Sequence, residues 1–167
     1  MALLSTIVTI TGPRAAGKTT LAQRLLQYPE FVRVPTITTR PPRLGEINAK
    51  ILSDGSAVGD YFFMTSTAVQ ELMNAQNKLM SVALRDGYIY ATNTEVIDAI
   101  IKCGKSPVVI LGEEGLSEVG DYCKQNDIQH VAAFIEIDEV LAFSRMLGRY
   151  IENDKNTPQE NKPEMRE

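Results

Sequence analysis

The chain reads as a three-layer α/β protein, a central parallel sheet with helices on both faces, and three observations predict this. Apolar runs at 6–10, 107–111 and 131–137, rich in Val and Ile, have the composition of strands buried on both sides. Segments with apolar residues at helical spacing separate them, as βαβ units require. The first strand also runs through a glycine-bearing loop into a helix.

In chain order, Thr6-Ile7-Val8-Thr9-Ile10 is β-branched throughout and predicts a core strand. Leu21, Leu25 and Tyr28 then recur at i, i+4 and i+7, one face of a helix that Pro29 stops. Residues 31–34 and 36–39 predict extended chain, and Arg40-Pro41-Pro42-Arg43 cannot be helical, because two prolines fix φ and remove donors. Asn48 to Asp60 is expected to be loop, and Tyr61-Phe62-Phe63-Met64 a brief strand. Thr67 followed by Gln70 resembles a capping box and predicts a helix to about Gln76. Arg85-Asp86-Gly87 between 79–84 and 88–90 is a hairpin signature. A helix from about Asn93 to Cys103 buries Val96, Ile97, Ile100 and Ile101 and stops at Gly104. Leu116, Val119 and Cys123 mark another helix, and a last one runs from Asp138 to about Ile151. A single domain is expected over 1–152, with the hairpin-bearing part, about 36–92, as a small β-containing subregion. Residues 153–167 are polar, carry Pro158 and Pro163, and are expected to form a loose tail or an abbreviated lid.

The loop Gly12-Pro13-Arg14-Ala15-Ala16-Gly17-Lys18-Thr19 matches G-x-x-x-x-G-K-[ST], and its strand and helix flanks give the pattern a mechanism. The two glycines let successive N–H groups point inward as a nest for phosphate oxygens. The helix that begins near Lys18, with Thr20 in its first turn, adds free N–H groups and the positive end of its dipole. Lys18 is expected to reach the β- and γ-phosphates of a nucleoside triphosphate, and the Thr19 hydroxyl to ligate Mg²⁺. The bland alternative is a glycine turn with a surface lysine.

Bulk properties narrow the partners. At 167 residues, 44% hydrophobic and 23% charged, the chain fits an ordinary globular domain. Its net charge of −4 is the wrong sign for a nucleic-acid track. Six Lys/Arg against the lone acid Glu30 between Gly12 and Arg43 instead suit a small anionic ligand. Cys103 and Cys123 lack C-x-x-C spacing and read as reduced thiols of a cytoplasmic protein, a disulfide being the alternative. No apolar run has the length of a membrane span, and residues 1–4 lack the basic start of a signal peptide. His130, the single histidine, is expected to be structural.

These residues resemble the guanylate kinase family of nucleoside monophosphate kinases. The loop is similar to that family's GPSGxGKST, and Thr38-Thr39-Arg40-Pro41-Pro42-Arg43-Leu44-Gly45-Glu46 to its TTRxxRxGE. Asp60-Tyr61-Phe62-Phe63 is similar to DYxF, and Gly87-Tyr88-Ile89-Tyr90-Ala91-Thr92 to GxxYGxS. The resemblance implies a P-loop kinase fold, ATP and Mg²⁺ as cofactors, and a nucleotide acceptor, GMP or dGMP first. Carried over by motif, Arg40 and Arg43 would grip the acceptor phosphate with Tyr61 and Tyr90, while Thr36 and Thr92 fall where the family contacts the acceptor. Arg145-Met146-Leu147-Gly148-Arg149 is similar to RLxxRG, so Arg145 and Arg149 would face the donor phosphates, and Arg166 is a further lid candidate. A solvated basic loop and helix face would be the plain alternatives.

Departures from the pattern bear on the acceptor. Ser81 stands where the family has a guanine-reading glutamate, and Ile110 and Gly112 replace its aspartates, with Glu113 and Glu114 just beyond. Two expectations follow: an ATP-dependent kinase for GMP, another (deoxy)nucleotide or a phosphorylated sugar, or a non-catalytic nucleotide- or protein-binding module on the same fold.

Overall fold

The computed structural model describes residues 5–75 and 78–156, with side chains to Ile151. The elements run β1 (Thr6–Thr11), α1 (Lys18–Leu25), β2 (Phe31–Arg33), β3 (Thr36–Thr38), β4 (Lys50–Ile51), β5 (Ala57–Val58), β6 (Tyr61–Phe63) and α2 (Ser66–Asn74). They continue as β7 (Leu79–Arg85), β8 (Tyr88–Asn93), α3 (Thr94–Lys102), β9 (Ser106–Ile110), a 3₁₀ turn (Glu113–Gly115), α4 (Leu116–Gln125), β10 (Gln129–Phe134) and α5 (Glu139–Asn156).

A wholly parallel sheet ordered β10-β1-β9-β2 forms the centre. Strand alternation sorts its side chains into two cores. Ile7 and Val109 pack with Ile97, Ile100, Val119 and Cys123 from α3 and α4 on one face. Val8, Ile10 and Val108 pack with Leu21, Ala22 and Leu25 of α1 on the other. A second sheet, ordered β6-β3-β8-β7, is mostly antiparallel and carries α2, whose Val69 packs on Ile37 and Ala91. This sheet comes from residues between Thr36 and Asn93, and it stands beside the C-terminal ends of the parallel strands.

Several expected boundaries move, each for a local reason. Helix α1 ends at Leu25, where i→i−3 bonds from Gln27 and Tyr28 tighten the chain, so Tyr28 is exposed rather than part of the buried face. The expected loop 48–60 contains the β4–β5 hairpin. Its turn includes Gly55 at φ 78°, where a Cβ would lie 2.6 Å from the Cβ of Cys103. Thr65, not Thr67, caps α2, accepting from the Ala68 N–H at 3.2 Å. Strand β10 stops at Phe134, opposite Thr11, because β1 offers no further register beyond that residue. Helix α5 continues past Ile151 to Asn156; of the expected tail, residues 157–167, with Arg166, lie outside the described residues, as does Gln76.

Two consequences for stability can be measured. Ile97 is fully buried between α3 and the sheet, so Ile97→Ala is expected to cost about 2–5 kcal/mol in urea unfolding. His130 Nε2 lies 2.9 Å from Thr9 Oγ1, and burial holds the imidazole below its ordinary range. Below about 6.5 the unfolded chain therefore binds more protons than the folded one. Stability is expected to fall with pH from about 6.5 down through the lowered native value, and His130→Gln to flatten that slope in a pH series of melts.

Candidate functional site

The phosphate loop takes its shape from three left-handed residues. Gly12 has φ 137°, Ala15 φ 64° and Gly17 φ 102°. A side chain at Gly12 would meet the Ile135 carbonyl oxygen at 2.4 Å, so the exit of β10 enforces glycine there. Ala15 pays a steric cost in this region, and Arg145 Nη1 donates to its carbonyl at 3.3 Å. Gly17 begins α1 with no side-chain cap, which leaves the first-turn N–H groups of Lys18, Thr19 and Thr20 to face the loop. Lys18 Nζ donates to the carbonyls of Gly12 at 2.6 Å and Pro13 at 2.7 Å. Burial, then Arg85 and Arg149, lower the Lys18 pKa, against an opposing effect of Glu113.

A cleft of about 700 Å³ joins this loop to the second sheet. It is lined by Gly12 to Thr20, by Thr36, Arg40, Arg43, Tyr61, Ser81, Tyr90 and Thr92, and by Arg149. Arg145 does not line it, but bonds the underside of the phosphate loop through Ala15. The expected residues from four motifs thus meet in one cavity.

On the second sheet's side of the cleft, Arg40 is buried and spends three N–H donors locally: Nη1 and Nη2 each bond a Glu46 oxygen at 2.6 Å, and Nη1 also donates to the Pro41 carbonyl. Its guanidinium lies 4.5 Å from the Tyr61 ring centroid and 5.3 Å from that of Phe63. The Glu46 hydrogen bonds raise the Arg40 pKa and hold the Glu46 carboxyl below its usual range. Arg43 contributes its backbone N–H to Glu46 at 2.7 Å, while its guanidinium has no carboxylate partner among the described residues. Arg40 therefore braces the loop, and Arg43 presents the free charge.

Ser81 occupies an irregularity of β7 at φ 54°. Its N–H donates to Glu118 Oε2 at 2.6 Å and its hydroxyl to the Gly115 carbonyl at 3.2 Å. With its proton committed, this hydroxyl can accept from a ligand but not donate.

Sequence reasoning missed several cleft residues. Arg33 pairs with Asp60 at 2.6 Å, lies 6.0 Å from the Tyr61 centroid, and keeps a buried Nε without a partner. Arg85, Asp86, Glu113 and Glu114 also line the cleft. For Arg85 the available signal was its alternation with Ala83 on β7, since beyond the irregularity at Ser81 these two residues share a face. Thr19, exposed beside Lys18, has the kind of hard oxygen that Mg²⁺ favours and would be the side chain to hold the ion. No group of three acidic, His or Cys side chains suited to a metal occurs among the described residues.

A parallel sheet with a phosphate loop at its C-terminal edge, facing a lobe of arginines and tyrosines, defines the class of P-loop kinases. The family model for guanylate kinase matches residues 5–166. The chain is 30% identical over 116 residues to guanylate kinase of Protochlamydia amoebophila, covering 69% of this chain and 54% of that protein. It is 30% identical over 147 residues to guanylate kinase of Chlamydia muridarum, covering 87% and 64%. The crystal structure of guanylate kinase from Anaplasma phagocytophilum superposes with a TM-score of 0.59 at 19% identity, covering 90% of this chain and 71% of that one. This chain belongs to the guanylate kinase family. It spans about half the length of several curated relatives it matches.

The Arg40–Glu46 pair generates a stability prediction. Removing one partner leaves a buried charge, so Glu46→Gln is expected to cost roughly 3 kcal/mol in chemical denaturation. Because the native Glu46 pKa is lowered, its contribution is present above about pH 4.5 and is lost as pH falls through the lower native value. The variant should lack that part of the acid slope.

Proposed function

We propose that the chain catalyses ATP- and Mg²⁺-dependent phosphoryl transfer to a nucleoside monophosphate, with GMP or dGMP the first acceptor. The observation that carries this reading is the single cleft shared by the phosphate loop and the Arg40–Arg43–Tyr61–Tyr90 cluster. Catalysis is positioning and electrostatics, without a covalent enzyme intermediate. The loop N–H groups and Lys18 hold the donor β- and γ-phosphates, and Arg149 faces the same charge from α5. Arg43, with the Tyr61 and Tyr90 hydroxyls, holds the acceptor phosphate. Thr36, Thr92 and the accepting Ser81 hydroxyl face the rest of the acceptor. Mg²⁺, held by Thr19, would neutralise donor-phosphate charge. The activity suits the cytoplasm, where two free thiols persist, and the described helices are too short or too polar to cross a membrane.

A second reading, a non-catalytic nucleotide- or protein-binding module, rests on one observation: Ile110, Leu111 and Gly112 leave the end of β9 without an acid. ADP release from MgATP with each common NMP, dNMP and a phosphorylated sugar separates the readings. GMP is expected to give the highest turnover. Lys18→Ala should lower kcat about 100-fold or more. Arg43→Ala should raise the acceptor KM about 10- to 100-fold. A folded protein that transfers phosphate to none of these acceptors would support the module instead.

A further inference from the structure

We infer that Arg85, at the tip of the β7–β8 hairpin, is a further catalytic residue that binds the phosphoryl group in transit between donor and acceptor. The inference rests on the kinase reading above.

Strand register supplies the first support. Ala83 pairs with Tyr90, and Arg85 with Tyr88. Tyr90 marks the level of the acceptor phosphate, so Arg85 lies two residues further toward the tip, roughly 7 Å along the strand. Beyond it, Asp86 Oδ2 accepts from Arg14 Nη2 of the phosphate loop at 2.8 Å. Arg85 therefore stands between the acceptor cluster and the phosphate loop, where the transferred group must pass.

Its own contacts aim it there. Nη2 bonds Glu114 Oε1 at 2.7 Å, and a Cβ on residue 112 would lie 2.0 Å from that nitrogen. The guanidinium thus lies on the bare backbone of Gly112, in space any other residue would take. One bond to Glu114 fixes its direction and leaves most of its five N–H donors open. Lys18, Arg85 and Arg149 line the same cleft, so three cations converge there, and both arginines lower the Lys18 pKa. Such convergence is unfavourable by itself, and an anion bearing several charges would reverse its sign.

In the step it serves, an acceptor phosphate oxygen bonds the γ-phosphorus as the bond to the β,γ-bridging oxygen breaks. ADP leaves with that electron pair, and Arg85 offsets the charge on the equatorial oxygens.

The test uses the full chain with MgATP and its best acceptor. Arg85→Ala is expected to lower kcat about 100-fold, with the ADP Kd and acceptor KM within threefold of the parent, and added guanidinium should restore part of the rate. Glu114→Gln, which only positions Arg85, should produce a smaller loss of kcat. Turnover of Arg85→Ala within threefold of the parent overturns the inference, as does a loss that guanidinium cannot rescue and that comes with equally weakened ADP binding. Should Arg85→Ala fail to melt cooperatively, Arg85→Lys carries the decision, since it keeps charge but loses the fork: parental turnover there overturns the inference. A parent that binds ADP yet phosphorylates nothing defeats the kinase reading, and Arg85 with it.

Discussion

Seven cationic side chains face one cleft, and the surrounding fold is arranged around their mutual repulsion. Four are matched with carboxylates: Arg14 with Asp86, Arg33 with Asp60, Arg40 with Glu46 and Arg85 with Glu114. Lys18, Arg43 and Arg149 have no carboxylate partner among the described residues. The division is physically sensible. A paired guanidinium has a fixed direction and a reduced field: at Arg40, doubly bonded to Glu46, this makes a brace, while at Arg85 a single bond to Glu114 aims the group and leaves its other donors open. An unpaired one keeps its field for a ligand, and in a partly dry cleft that field is stronger than in water. Arg40 and Arg43, three residues apart, illustrate the two roles. The same Glu46 takes the side chain of one and the backbone of the other, so the loop is shaped by neutralising Arg40 while Arg43 remains charged.

Much of this was legible in the residues themselves. The phosphate loop was readable because its chemistry needs glycines at fixed places and a strand and helix on either side. The hairpin at Asp86-Gly87 was readable because both residues adopt positive φ, at 51° and 79°, which few sequences tolerate. What escaped depends on partners far away in the chain. Arg33 is one of several polar residues beside a short strand until Asp60 and Tyr61 are brought to it. The β4–β5 hairpin has two residues per strand, too few for a periodic signal, and is held partly by the packing of Gly55 on Cys103. Arg85 looked like turn punctuation, since nothing in the sequence says that Gly112 leaves room for its guanidinium.

The exchange at Ser81 and Gly112 belongs to the same logic. Where longer acidic side chains would stand in the family pattern, this chain brings backbone and helix closer instead. A Cβ on Gly115 would lie 2.4 Å from Ser81 Oγ, and Glu118 reaches from α4 to the Ser81 N–H. Carboxylates are still supplied to this wall, but from Glu114 and Glu118 on the segment after β9, and both are engaged with β7. Their charge is used to fasten the wall of the cleft.

That fastening sets how the two lobes hold together. The contacts between the lobes include Arg14–Asp86, Arg85–Glu114 and the bonds of Ser81 to Gly115 and Glu118, and these two ion pairs have side chains between 46% and 70% exposed. Arg33–Asp60, Lys105–Asp54 and the burial of Met80 in the core of the parallel sheet join the lobes as well. Exposed pairs contribute about 0.2–1 kcal/mol each and weaken with salt, so they add little beside the buried Met80 and the Arg33–Asp60 pair. Arg40 and Glu46, by contrast, are largely buried and lie within the second lobe, as do Tyr61 and Phe63 beneath them. Arg33 reaches Asp60 and the Tyr61 ring from β2 of the parallel sheet, so the cluster around Tyr61 is complete only with both lobes in place. The bracing of Arg40 is built into the interior of one lobe, and the convergence of Lys18, Arg85 and Arg149 on the cleft depends on both.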